Sequence, residues 1–113
     1  MKTKDHLSNR AQIYSLDDLK THYRRNTKGH WFDKDTMRFF RSRLSDRLHF
    51  GAESIYFVSS EQGPSGVRLY SVRKYTPSSG EIDTVGDFQQ YKTSSSAQRA
   101  AERAAREERG ETK

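Results

Sequence analysis

S-I-Y-F-V-S-S-E-Q-G-P-S-G-V-R-L-Y-S-V-R-K-Y, residues 54 to 75, reads as two strands joined by a turn. Ser54 to Ser60 is rich in aromatic and branched side chains, Glu61 to Gly66 is dense in turn formers, and Val67 to Tyr75 resumes the strand pattern. Downstream, Pro77-Ser78-Ser79-Gly80 turns the chain into Ile82-Asp83-Thr84-Val85; upstream, Arg47-Leu48-His49-Phe50 leads in through Gly51-Ala52-Glu53. Connections this short favour an antiparallel meander of three or four strands. Alternation places Arg68, Tyr70, Val72 and Lys74 on one side of a strand and Val67, Leu69, Ser71, Arg73 and Tyr75 on the other. Neither set is cleanly apolar, so the pattern alone does not say which face is buried.

Helical signals flank this centre. Ser15 with Asp18 forms a capping-box pattern, Tyr14 is placed to staple onto Leu19, and Leu16, Leu19 and Tyr23 share a face until Asn26 and Gly29 end the run. A second helix is expected from Asp33 as N-cap, with Phe32 and Met37 as its staple and Met37, Phe40 and Leu44 as its buried stripe. At the C-terminal end, Ser95 and Gln98 match a capping box, and Ala97, Ala100, Ala101, Ala104 and Ala105 mark a stripe. Alanine forms helix readily but buries little area, so this helix is expected to dock weakly. Glu102 and Arg106 are spaced for a pair along it, and Gly110 marks its end. The expected architecture is α+β: two N-terminal helices, a three- to four-stranded antiparallel meander and a C-terminal Ala-rich helix.

Composition sets the domain limits. Leu, Ile, Val and Phe make up 19 of 113 residues, low for a folded chain, yet 15 of the 19 lie between His30 and Tyr91. The reading is a mobile arm over residues 1–12, one domain over 13–108 with its core in 30–91, and a frayed tail over 109–113. No cysteine is present, which excludes disulfides and thiolate chemistry. No apolar run is long enough for a signal peptide or a membrane span, so the protein is expected in the cytoplasm and no membrane partner is expected.

The net charge of +6 is carried by one half: residues 1–50 hold 12 Lys and Arg against 6 Asp and Glu, while residues 51–113 hold 9 against 9. An anionic partner would therefore meet the N-terminal half first. The candidate binding surface is Lys34, Arg38, Arg41, Arg43 and Arg47, joined by Trp31 and Phe39, with Arg68, Tyr70 and Arg73 available from the strand. Arginine forks suit phosphates, and aromatic rings can stack on unpaired bases; the competing reading is a solvated helix face.

Other chemistries find little support. His6, His22, His30 and His49 lack metal-ligand spacing, so no metal is expected, and no cofactor fingerprint is present. No serine sits in a nucleophile elbow, and Gly63-Pro64-Ser65-Gly66 lacks the lysine and helix of a phosphate loop. His30 beside Trp31 and Asp33 reads as a loop residue at a helix start before it reads as a base. Glu61 and Asp83 read as exposed turn acids.

Four blocks carry a resemblance: W-F-D-K-D-T-M-R-F-F-R-S-R at 31 to 43, F-V-S-S-E-Q at 57 to 62, R-L-Y-S-V-R at 68 to 73 and I-D-T-V-G-D-F-Q-Q-Y at 82 to 91. Together they resemble a family of small uncharacterised proteins of tailed bacteriophages and prophages. That family has no established activity, so the resemblance implies context only: an accessory protein in a bacterial host cytoplasm. The expected function is non-enzymatic binding to a host or phage protein complex. The alternative is binding of DNA or RNA through the Arg38 to Arg47 surface, and an exposed sheet edge leaves a homodimer open.

Overall fold

Helix α1, Leu16–Asn26, starts where the capping pattern places it: Ser15 Oγ accepts the Asp18 N–H at 3.2 Å. The reciprocal bond is displaced by one residue, because Asp18 Oδ2 accepts the N–H of Tyr14 at 2.9 Å and not that of Ser15. Tyr14 is exposed and does not staple; the apolar residue buried ahead of the helix is Ile13. The structure is a computed structural model that describes residues 13–111, so the expected arm over 1–12 and the last two residues lie outside it.

Helix α2, Lys34–Phe39, is one and a half turns long and buries nothing. The stripe of Met37, Phe40 and Leu44 is not formed: Phe40 is the C-cap, and Leu44 lies in strand β1, Arg43–Leu44. A Schellman motif stops the helix, with the Ser42 N–H on the Met37 carbonyl at 2.8 Å and the Arg41 N–H on the Arg38 carbonyl at 3.1 Å. Arg41 takes the left-handed position at φ 52°, where glycine is usual. Asp33 occupies the N-cap position without a side-chain capping bond; its Oδ2 lies 2.7 Å from His30 Nδ1 instead.

Strands β2, His49–Phe50, β3, Ile55–Gln62, β4, Arg68–Thr76, and β5, Glu81–Val85, complete an antiparallel sheet of five strands. Both β1 and β2 pair with β3 on the edge opposite β4, β1 at Ser59 and Ser60 and β2 at Ile55 and Tyr56. The sheet is therefore four strands wide, with a broken edge strand: β1 lies where helix was expected to continue, and β2 lies within the short strand read at Arg47 to Phe50. Helix α3, Ser94–Glu108, starts two residues before the Ser95 box: Thr93 Oγ1 accepts the Ser96 N–H at 3.1 Å. Gly110 closes it at φ 83° through a second Schellman motif.

Cross-strand register explains why neither side of β4 is cleanly apolar. Ile55 faces Tyr75 and Phe57 faces Arg73, whereas Tyr56 faces Lys74 and Val58 faces Val72, so these pairs alternate between the two faces. Both faces are covered. On one, Ile55, Phe57 and Tyr75 pack with Ile13, Leu19, Tyr23 and Phe32, joined by Leu44, Phe50 and Ile82. On the other, Tyr56, Val58 and Val72 pack against Ala97, Ala100, Ala101 and Ala105 of α3. The expected alanine stripe is thus the buried one, and its small side chains let α3 lie close to the sheet.

Polar bonds at the edge of this second layer fix the position of α3. His49 is buried, with Nδ1 2.9 Å from Glu102 Oε1 and Nε2 2.7 Å from Gln98 Oε1. Glu102 therefore engages His49 and, at 3.7 Å, Arg109, and not the Arg106 pair expected from spacing. Glu108 accepts the Tyr56 hydroxyl at 2.7 Å and the Glu53 N–H at 2.6 Å, and Arg109 donates to the Phe50 carbonyl at 2.5 Å.

Candidate functional site, a cleft over a buried ion pair

Toward the far end of β3 the first layer changes character. Ser59, Glu61, Ser71 and Arg73 follow the apolar residues on that same face, with Thr84 opposite Arg73 on β5. Arg73 collects these groups: Nε donates to Ser59 Oγ at 2.8 Å, Nη1 to Thr84 Oγ1, and Nη2 lies 3.3 Å from Glu61 Oε2. The guanidinium stacks against two rings, 5.3 Å from the centre of Trp31 and 5.2 Å from that of Phe88. Burial lowers the pKa of Arg73 below the usual arginine value, with Glu61 partly offsetting it.

Glu61 is 5% exposed, which overturns its reading as an exposed turn acid: β3 extends through Gln62, so the residue is strand and not turn. Its carboxylate is only half used. Oε2 meets Arg73, while Oε1 is buried without a hydrogen-bond partner among the described residues. An orphaned buried acceptor of this kind costs about 1–3 kcal/mol.

Above the pair lies a cleft of about 210 Å³ lined by Trp31, Thr36, Met37, Phe40, Ser42, Glu61, Arg73 and Phe88. Each of the four sequence blocks contributes: 31 to 43 builds one wall, 57 to 62 supplies Glu61, 68 to 73 supplies Arg73, and 82 to 91 supplies Phe88. The rim is apolar and exposed, with Phe39 79%, Phe40 51% and Phe88 53% accessible, and the Phe39 and Phe40 rings meet edge to face at 4.8 Å. Two non-glycine residues with left-handed backbone, Arg41 at φ 52° and Gln89 at φ 58°, flank the cleft-lining Phe40, Ser42 and Phe88 in sequence. Gln89 is held by its N–H on Ser71 Oγ at 2.7 Å and its side-chain amide on the Glu61 carbonyl at 3.3 Å. Backbone strain of this sort persists only where surrounding contacts enforce it.

The candidate residues fall into separate places. Trp31 and Arg73 line the cleft, Phe39 extends its rim, and Lys34, Arg38 and Arg41 are exposed on or just after α2. Arg43, Arg68 and Tyr70 gather in a recess of about 220 Å³ that reaches Ser94 at the start of α3. Arg68 also donates to Ser60 Oγ at 2.8 Å. Arg47 instead borders a broad groove of about 1110 Å³ along α3, with Arg99, Arg103 and Arg106, interleaved with Glu102, Glu107 and Glu111. Sequence reasoning missed Glu61 and Phe88 as site residues; the only signal pointing to them was their presence in the four blocks.

Among the described residues, no group of three or more His, Cys, Asp or Glu side chains is placed to hold a metal, and no helix is long and apolar enough to cross a membrane. A family model described as "Family of unknown function (DUF7447)" matches residues 15–102. Comparison with curated proteins and with solved structures finds no match.

Proposed function

The chain belongs to that family of unknown function, and from its geometry we propose that it is a non-enzymatic protein that binds a protein partner through the aromatic cleft. One observation carries this: Phe40 and Phe88 are exposed on a cleft whose floor is a buried ion pair, and the exposed Phe39 ring packs against Phe40. Exposed aromatic residues clustered around a concavity are the usual anchors of protein interfaces, and Arg38 and Arg41 are exposed on and just after the same short helix. The phage or prophage origin, the accessory role on a host or phage complex and the bacterial cytoplasm rest on the resemblance of the four blocks.

The test is affinity capture from nuclease-treated host lysate, comparing the wild type with the F39S/F40S variant. Both side chains are exposed, so the fold should survive. A discrete protein enriched by the wild type and reduced roughly tenfold or more by the variant is the expected outcome. Enrichment that ignores both phenylalanines would remove the reading.

Nucleic-acid binding is the second reading, favoured by the recess of Arg43, Arg68 and Tyr70. It shares Ser94 with the groove that carries Arg47, Arg99, Arg103 and Arg106. Three glutamates interrupt that track, which is why it ranks below the cleft. Affinity for DNA or RNA that falls steeply with salt, with a slope flattened by replacing Arg43 and Arg68, would place it first. No binding at low salt would exclude it.

A further inference from the structure

The cleft has two properties that no packing argument uses. Its walls are mostly rings and a thioether, Trp31, Phe40, Phe88 and Met37, while Glu61 at its floor carries a buried oxygen, Oε1, without a hydrogen-bond partner among the described residues. At about 210 Å³ it is smaller than the roughly 300–1,000 Å³ of small-molecule sites, and suits a single large side chain.

The charge state of the floor narrows the choice. Glu61 is already balanced by Arg73 at 3.3 Å, and both side chains are buried. A lysine or arginine entering the cleft would bring a second cation beside the Arg73 guanidinium, where water screens poorly. A carboxylate or phosphate would meet Glu61. A purely aliphatic or phenyl group would fill the walls and leave Oε1 unsatisfied. What remains is a flat apolar body with one neutral donor. The indole of tryptophan has an N–H and no acceptor to strand, and the phenol of tyrosine has an O–H.

We propose that the cleft receives one aromatic side chain bearing a neutral hydrogen-bond donor, a tryptophan or tyrosine of a protein partner, with its N–H or O–H on Glu61 Oε1. This rests on the protein-binding reading above. The incoming ring packs against Phe40 and Phe88, and the donor satisfies the orphaned oxygen. The Arg73 bonds to Ser59, Thr84 and Glu61 hold the acceptor in place.

The experiment uses the full chain and small probes followed by ¹H–¹⁵N correlation spectra. Trp31 is the only tryptophan, so its indole N–H is a single reporter on the cleft wall. Indole and p-cresol should shift the Trp31 indole and Phe88 amide signals saturably. 1-Methylindole, which keeps the ring and lacks the donor, should bind about fivefold more weakly. F40A should retain a dispersed spectrum and lose indole binding. Equal affinity for indole and 1-methylindole, stronger binding of n-butylammonium than of indole, unchanged indole binding by F40A, or no saturable shift would each overturn the assignment. Failure of the probes alongside a phenylalanine-dependent capture would overturn the occupant alone; loss of that dependence would overturn the interface itself.

Discussion

Glu61 on β3 and Arg73 on β4 lie 3.3 Å apart on one face of the sheet, buried beneath Trp31 and Phe88. A pair in this setting stabilises little by itself, because both charges lose their hydration. It sits at the polar end of that face, where Ser59 and Thr84 accept hydrogen bonds from Arg73.

Breaking the pair on one side should therefore cost more than removing it. R73M leaves the Glu61 carboxylate buried without its cation and should lower stability by about 3 kcal/mol, whereas E61L/R73M should recover most of that loss. Urea unfolding midpoints of R73M, E61L and the double variant give the coupling. A double variant no more stable than R73M would contradict the argument.

The turn after α2 carries strain that glycine would relieve. Arg41 sits at φ 52° in the Schellman position, so R41G should raise stability by about 1 kcal/mol. A thermal melt is sufficient to see it. Because the backbone stays as it is, the cleft-lining positions of Phe40 and Ser42 should not change.

Acid should loosen α3 before the rest. The hydrogen bond from His49 holds the Glu102 carboxyl below its ordinary value of 4.5, and His49, Arg109 and Arg106 add charge attraction that outweighs the opposing effect of burial. Glu108 is also held low: burial pushes it up, but the Tyr56 hydroxyl, the Glu53 and Ser54 backbone bonds and Lys74 outweigh that. A carboxyl with a depressed folded-state pKa contributes stability that is complete above its unfolded pKa and is lost as pH falls through the folded one. Stability should thus hold down to about pH 4.5 and decline below it. E102Q should flatten that decline in urea midpoints measured between roughly pH 6 and 2.5. An identical acid limb in wild type and E102Q would show that this carboxylate does not contribute.

The alanine stripe should resist enlargement. Ala101 is fully buried between α3 and the sheet, so A101L should cost about 1–3 kcal/mol through overpacking. Substitution of exposed Arg99 or Arg103 on the outer side of the helix should stay within about 0.5 kcal/mol. Denaturant titrations of the three variants separate a close interface from a loose one.

Some local signals were legible, whereas the Tyr14 staple, the Ser95 box, the Asp33 capping bond and the Glu102–Arg106 pair gave way to other contacts. The Ser15 cap, the β3–β4 pair across Glu61 to Gly66, the alanine stripe and the Gly110 stop all depend on residues within a few positions of one another. The second helix starts after Asp33 as expected but is shorter than its stripe implied, because Met37, Phe40 and Leu44 satisfy a helical period. The antiparallel pairing of Leu44 with Ser59 captured the end of that run instead, and the helix stopped at Phe39.

The amino-acid sequence by itself determined an α+β chain with an antiparallel centre, since periodicity and turn chemistry are local. Only the tertiary structure decided that both sheet faces are covered, that Glu61 is buried and that the candidate arginines divide among the cleft, the recess, the groove along α3 and the exposed surface on and just after α2. These outcomes depend on cross-strand register and on which helix crosses which face. Such choices are made by contacts between residues far apart in the chain, and no local pattern encodes them.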